Sequence, residues 1–204
     1  MRKVWLGVAV CVAGLPAAAA PLRADERSAL QPPSAFAAIT DPRARSAALF
    51  TEAGKVIADP RCVNCHPAGD RPHQGDDAHA HFPMTTRGPD GDGVPGAPCS
   101  TCHGAGNARV PVAPETSIPG HPRWQLAPKE MAWEGKTLGE ICAQLKDPER
   151  NGGRTLPLLH EHMAQDDLVA WGWNPGPGRR PVAGTQQQFG ELIQAWIDTD
   201  AVCP

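Results

Sequence analysis

Two pentapeptides constrain this chain more than anything else in it: Cys62-Val63-Asn64-Cys65-His66 and Cys99-Ser100-Thr101-Cys102-His103. Both have the form C-x-x-C-H. With 7 Cys and 8 His in 204 residues, chance supplies roughly 0.01 such pentapeptides per chain. Two copies therefore need a chemical reason. The spacing places two thiols on one short turn, where they reach the two vinyl groups of one porphyrin as thioethers, and the following imidazole sits beneath the iron. The pattern predicts two covalently attached haem c groups, on Cys62 and Cys65 and on Cys99 and Cys102, with His66 and His103 as proximal axial ligands. Three alternatives share part of this pattern. A thioredoxin-like C-x-x-C belongs beside a βαβ pattern, which the chain does not show. A zinc site built from two Cys pairs has no need of a His after each pair. Two vicinal disulfides are a third possibility.

The redox setting follows from the start of the chain. Residues 1–20 combine Arg2 and Lys3, an apolar stretch from Val4 to Leu15 and small residues up to Ala20. They read as a secretory signal peptide cleaved near Ala20, with a periplasmic destination, and the stretch is short for a membrane span. No later stretch is apolar enough to cross a bilayer. Cys11 leaves with the peptide, so six Cys remain. Four belong to the haem motifs, and an oxidising compartment favours a disulfide between the last two, Cys142 and Cys203.

Removing the first twenty residues leaves 17 basic against 22 acidic residues. No basic patch stands out, which gives nucleic-acid binding no support. The 21 Gly and 23 Pro argue against long helices or a regular sheet throughout. Two porphyrins resolve that difficulty, because a chain that wraps them needs turns more than it needs continuous helices. Without haem, order should fall most across residues 67–122.

The fold class expected is mainly α and loop-rich, with short helices wrapped around two haems. Residues 21–41 read as a flexible leader, and residues 42–204 as one dihaem domain. A helix is expected over residues 42–59, capped by Asp41, opened by Pro42 and ended at Asp59-Pro60. Residues 67–98 have no periodicity and read as a haem-wrapping loop, and residues 104–122 as a second loop. Residues 130–147 are expected to be helical in part, with Leu138, Ile141, Cys142 and Leu145 on one face. Another helix is expected over 156–171, and Thr185 caps a last one carrying Phe189, Leu192, Ile193 and Trp196. Asp90-Gly91-Asp92-Gly93 reads as a turn, since the later ligands of a calcium loop are missing. Trp133, Trp171 and Trp173 are expected to pack on haem or core.

The distal side of each haem is open among His73, His79, His81, His121, His160, His162, Met84, Met131 and Met163. The preferred pair is His81 and His162. His81 lies with His79 in a Gly/Pro-rich extended segment, and His162 lies near an apolar helical stripe. Met131 and Met84 are the runners-up. The choice matters because Met/His ligation raises an iron potential relative to two imidazoles.

The chain resembles small exported dihaem c-type cytochromes. More narrowly, the segments CVNCHPAGDRPHQGDD, RGPDGDGVPGAPCSTCHG, WQLAPKEMAWEGKTLGEICAQLKDPERNGGR and WGWNPGPGR are similar to the cytochrome subunit of isoquinoline 1-oxidoreductase-like molybdenum hydroxylases. The likeness covers about two thirds of the chain. It implies an electron carrier that takes electrons from a dehydrogenase or molybdenum hydroxylase partner and passes them to a cytochrome or oxidase acceptor. A dihaem peroxidase-like enzyme is the alternative, and a haem-based sensor or structural module is a third reading.

Overall fold

The computed structural model describes residues 29–204; the expected signal peptide lies outside them. They form a mainly helical body with long loops. The helices are α1 (Pro42–Ile57), α2 (Pro60–Val63), α3 (Leu138–Leu145), α4 (Leu156–Gln165), α5 (Asp167–Ala170) and α6 (Gln186–Asp198). No helix among the described residues is long and apolar enough to cross a membrane.

Helix α6 is the centre of the body and packs against both α1 and α4. Its apolar face is the one the spacing predicts: Phe189, Leu192, Ile193 and Trp196 are all buried. Phe50 of α1 meets Trp196 with ring centroids 4.8 Å apart. Burying each Phe, Leu or Ile here contributes about 1.5–3 kcal/mol. The ends are fixed by local chemistry. Thr137 and Glu140 form a reciprocal capping box at α3, and Thr185 and Gln188 form another at α6. Asp41 accepts from the Arg43 amide at the start of α1, where Pro42 loses no helical hydrogen bond. Gly54 lets α1 approach α3, since a Cβ there would lie 2.6 Å from a Leu138 methyl.

The C-terminus is tied down by several bonds. Cys142 and Cys203 form a disulfide, as expected, with Cα atoms 5.6 Å apart. The Trp196 indole donates to the Val202 carbonyl at 3.0 Å, and the Val202 amide donates to Ser46 Oγ at 2.9 Å.

Four expectations need correction. The leader is not free as far as residue 41: Leu30 is buried in the core and the Gln31 amide donates to Glu52 Oε1 at 2.8 Å. An apolar Leu among Ala and Pro was signal enough for docking. The helix expected over 156–171 breaks at Asp166, whose carboxylate accepts from the Leu168 amide and restarts the chain as α5. The loop over 67–98 holds two minimal antiparallel ribbons, β1 (His73–Gln74) with β2 (His79–Ala80), and β3 (Gly93–Val94) with β4 (Ala97–Pro98). Residues 104–122 hold a third, β5 (Ala108–Val110) with β6 (Ala113–Ile118), which carries an irregularity at Arg109/Val110. Such short strands leave no usable period in a sequence. The segment at Asp90 is a turn, with Gly91 and Gly93 both at positive φ.

Arg87, itself buried, stitches the first loop to the body. Its guanidinium donates to the carbonyls of Ala127, Pro67 and Gly69.

Candidate metal centres

Each C-x-x-C-H segment sits on a single tight turn. The first begins in α2, where the Cys65 amide donates to the Cys62 carbonyl at 3.1 Å. The second is a 3₁₀ turn over Cys99–Thr101, where the amides of Cys102 and His103 donate to the Cys99 carbonyl at 3.2 and 2.9 Å. The four motif cysteines are unpaired, although the chain forms a disulfide elsewhere. Burial pushes the Cys62 thiol up strongly, with Asp59 adding to the effect. Burial pushes Cys65 up to about 11 and also raises Cys99. Among the described residues, no group of three or more His, Cys, Asp or Glu side chains converges on a point that could hold a bare metal ion.

The two motifs open onto two cavities. The smaller, of about 170 Å³, is lined by Cys62, Cys65, His66, Met131, Trp133, His162 and Met163 among others. The larger, of about 630 Å³, is lined by Cys99, Cys102, His103, His81, Met84 and Trp124 among others. Cys65, Arg61, Trp124 and Trp171 line both, so the cavities share a wall. The Trp124 and Trp171 rings meet there edge to face, with centroids 5.0 Å apart.

The histidines sort into two groups by hydrogen bonding. His66 donates from Nδ1 to the Met131 carbonyl at 2.7 Å, and His103 donates from Nδ1 to the Pro119 carbonyl at 2.7 Å. His81 donates from Nδ1 to the Pro83 carbonyl at 2.9 Å, and His162 from Nδ1 to Asp166 Oδ2 at 3.1 Å. In all four, Nδ1 carries the proton and Nε2 makes no hydrogen bond within the described chain. That is the arrangement of an imidazole whose Nε2 is a metal ligand. The others differ. His73 engages Ala78 O through Nδ1 and Glu134 through Nε2. His79 engages Asp77 and Gln74, and His121 engages the Arg123 amide and Asp167. His160 lines neither cavity.

The four imidazoles are also paired in space. His66 and His162 line the smaller cavity. His103 and His81 line the larger one, with ring centroids 5.9 Å apart. Burial lowers His66 to about 4, with the Met131 hydrogen bond working against that shift. Burial likewise lowers His103 and His162. Neutral imidazoles are the form that binds metal.

Flat side chains complete the walls. Trp133 stacks on His66 with centroids 3.8 Å apart and planes 8° from parallel. Trp124 stacks on His103 at 4.9 Å and 14°. Trp173 packs instead into the core against Phe189, and its indole donates to the Ala183 carbonyl. Arg154 faces the smaller cavity, Arg179 the larger and Arg61 both. Such cations suit the carboxylates of a porphyrin. The residues lining both cavities therefore match haem in sulfur, nitrogen, apolar and cationic partners, and the smaller cavity, at about 170 Å³, has to widen to admit a porphyrin.

The runner-up methionines take different places. Met131 is buried and presents its carbonyl to His66, so its backbone orients that imidazole. Met84 is 79% exposed at the rim of the larger cavity. Sequence reading missed the carbonyls of Met131 and Pro119, because any residue could supply them. It also missed Asp166, which the four-residue spacing from His162 on a helix could have revealed. No protein-family model, curated protein or solved structure matches the chain.

Proposed function

We propose that this chain is a periplasmic electron-transfer protein that carries two covalently attached haem c groups, each held between two histidines. The observation that carries the reading is the sorting of eight imidazoles: the four with Nδ1 bound and Nε2 unpaired lie in pairs, each pair beside one C-x-x-C motif.

When bound, each haem supplies a one-electron couple. The protein does the rest. Cys62 and Cys65, and Cys99 and Cys102, fix the two groups covalently. His66 with His162, and His103 with His81, would supply two imidazoles to each haem. The carbonyls of Met131, Pro119 and Pro83 and the carboxylate of Asp166 hold each ring in one tautomer and orientation. The shared wall of Cys65, Arg61, Trp124 and Trp171 keeps the two sites adjacent, as a relay requires. A dehydrogenase or molybdenum hydroxylase is the proposed donor, and a cytochrome or oxidase the acceptor; the excess of acidic residues suits a basic face on either.

The test is a reduced-minus-oxidised spectrum of the mature protein from a host able to attach haem c, repeated with carbon monoxide and with peroxide. Two six-coordinate haems that ignore carbon monoxide are expected. Rapid carbon monoxide binding with peroxide turnover would replace this reading with a peroxidase-like enzyme.

A further inference from the structure

We propose that Asp166 is a positioning residue that lowers the reduction potential of the haem held by His66 and His162, and so makes two otherwise similar sites unequal. The inference rests on the two-haem reading above. Three of the four ligating imidazoles donate from Nδ1 to a neutral backbone carbonyl, at 2.7, 2.7 and 2.9 Å. His162 alone donates to a carboxylate, Asp166 Oδ2, at 3.1 Å. A carboxylate draws the Nδ1 proton toward itself more strongly than a carbonyl does, and this makes Nε2 a stronger electron donor. A stronger donor favours the oxidised metal, so the potential falls.

Asp166 is built to hold that position. It caps α5, its Oδ1 accepting from the Leu168 amide at 2.9 Å. The same oxygen accepts from Arg123 Nη2 at 2.8 Å, which leaves Oδ2 for His162. The Gln186 side chain donates to the Asp166 carbonyl at 2.9 Å and ties the turn to α6. Arg123 also pairs with Asp167, which in turn faces His121. The Arg123 charge offsets part of the Asp166 charge, so the two residues should act on the potential with opposite sign.

The experiment uses the haem-loaded mature protein and follows both midpoint potentials by spectroelectrochemistry. The low-spin electron paramagnetic resonance signal that His162→Ala removes identifies the haem concerned. Asp166→Asn loses the charge and has a single acceptor oxygen, so it keeps the cap on the Leu168 amide and no longer presents a carboxylate oxygen to His162 Nδ1. It should move that haem's midpoint upward, leave the other in place and retain the low-spin signal. Arg123→Gln should move the same midpoint downward. No shift in Asp166→Asn, equal shifts of both haems, or shifts of the same sign in the two variants would overturn the proposal. The last pattern is what mere loosening of the turn would give. A wild-type protein that holds no covalent haem is a separate outcome, recognisable before any variant is made, and it removes the parent reading as well.

Discussion

The His66 imidazole donates from Nδ1 to the carbonyl of Met131, 65 residues further along the chain, at 2.7 Å. That one bond joins the first C-x-x-C-H turn to the segment leading into α3. Trp133 closes the same corner by stacking on the ring. The second motif repeats the arrangement with Pro119 and Trp124. Two C-x-x-C-H motifs thus receive the same support from different places in the chain.

The distal assignments separate by site. His162→Ala should remove the low-spin signature of one haem and His81→Ala that of the other, each leaving its neighbour intact. Electron paramagnetic resonance of the two variants checks this. Loss of the same signal in both, or of neither, would contradict the pairing of His162 with His66 and of His81 with His103.

The disulfide should matter for stability and not for haem ligation. Cys142 and Cys203 are 61 residues apart, and releasing a loop of that size costs about 4 kcal/mol in chain entropy. The Cys142→Ser/Cys203→Ser double variant should show that loss in denaturant unfolding, with an unchanged visible spectrum.

Helix α6 offers a test of the core. Leu192 is fully buried on α6, the helix that packs against α1 and α4, so Leu192→Ala should destabilise by about 2–5 kcal/mol. Thr185→Ala removes only the cap of the same helix and should cost about 1 kcal/mol. Chemical denaturation distinguishes the two.

Much of the helical frame was legible because its signals are local. The i, i+3, i+4, i+7 spacing of Phe189, Leu192, Ile193 and Trp196 names a buried face without any knowledge of its partner. Asp41-Pro42 and Thr185 mark helix starts by the same local logic. The leftover pair Cys142 and Cys203 was legible by subtraction. The break at Asp166 was not, because Gln165-Asp166-Asp167 reads equally well as continuing helix. The three ribbons escaped because strands this short carry no alternation. The roles of Met131 and Pro119 escaped for a deeper reason: a backbone carbonyl has no residue type, and only the fold brings it to an imidazole.

Haem and frame should contribute order in different regions. The α1, α4 and α6 core rests on apolar side chains, while residues 67–122 rest largely on cavity walls. Replacing all four motif cysteines by Ser should abolish attachment and deprotect residues 67–122 in hydrogen exchange. Protection in α1 and α6 should persist. Equal loss everywhere would contradict this division.

Covalent attachment of two haems is decided by the intact mass of the mature protein. The expected mass is the polypeptide from about residue 21 plus two haem masses, retained after denaturation, with no free thiols. A mass equal to the bare polypeptide, with Cys62, Cys65, Cys99 and Cys102 all open to alkylation, would contradict it.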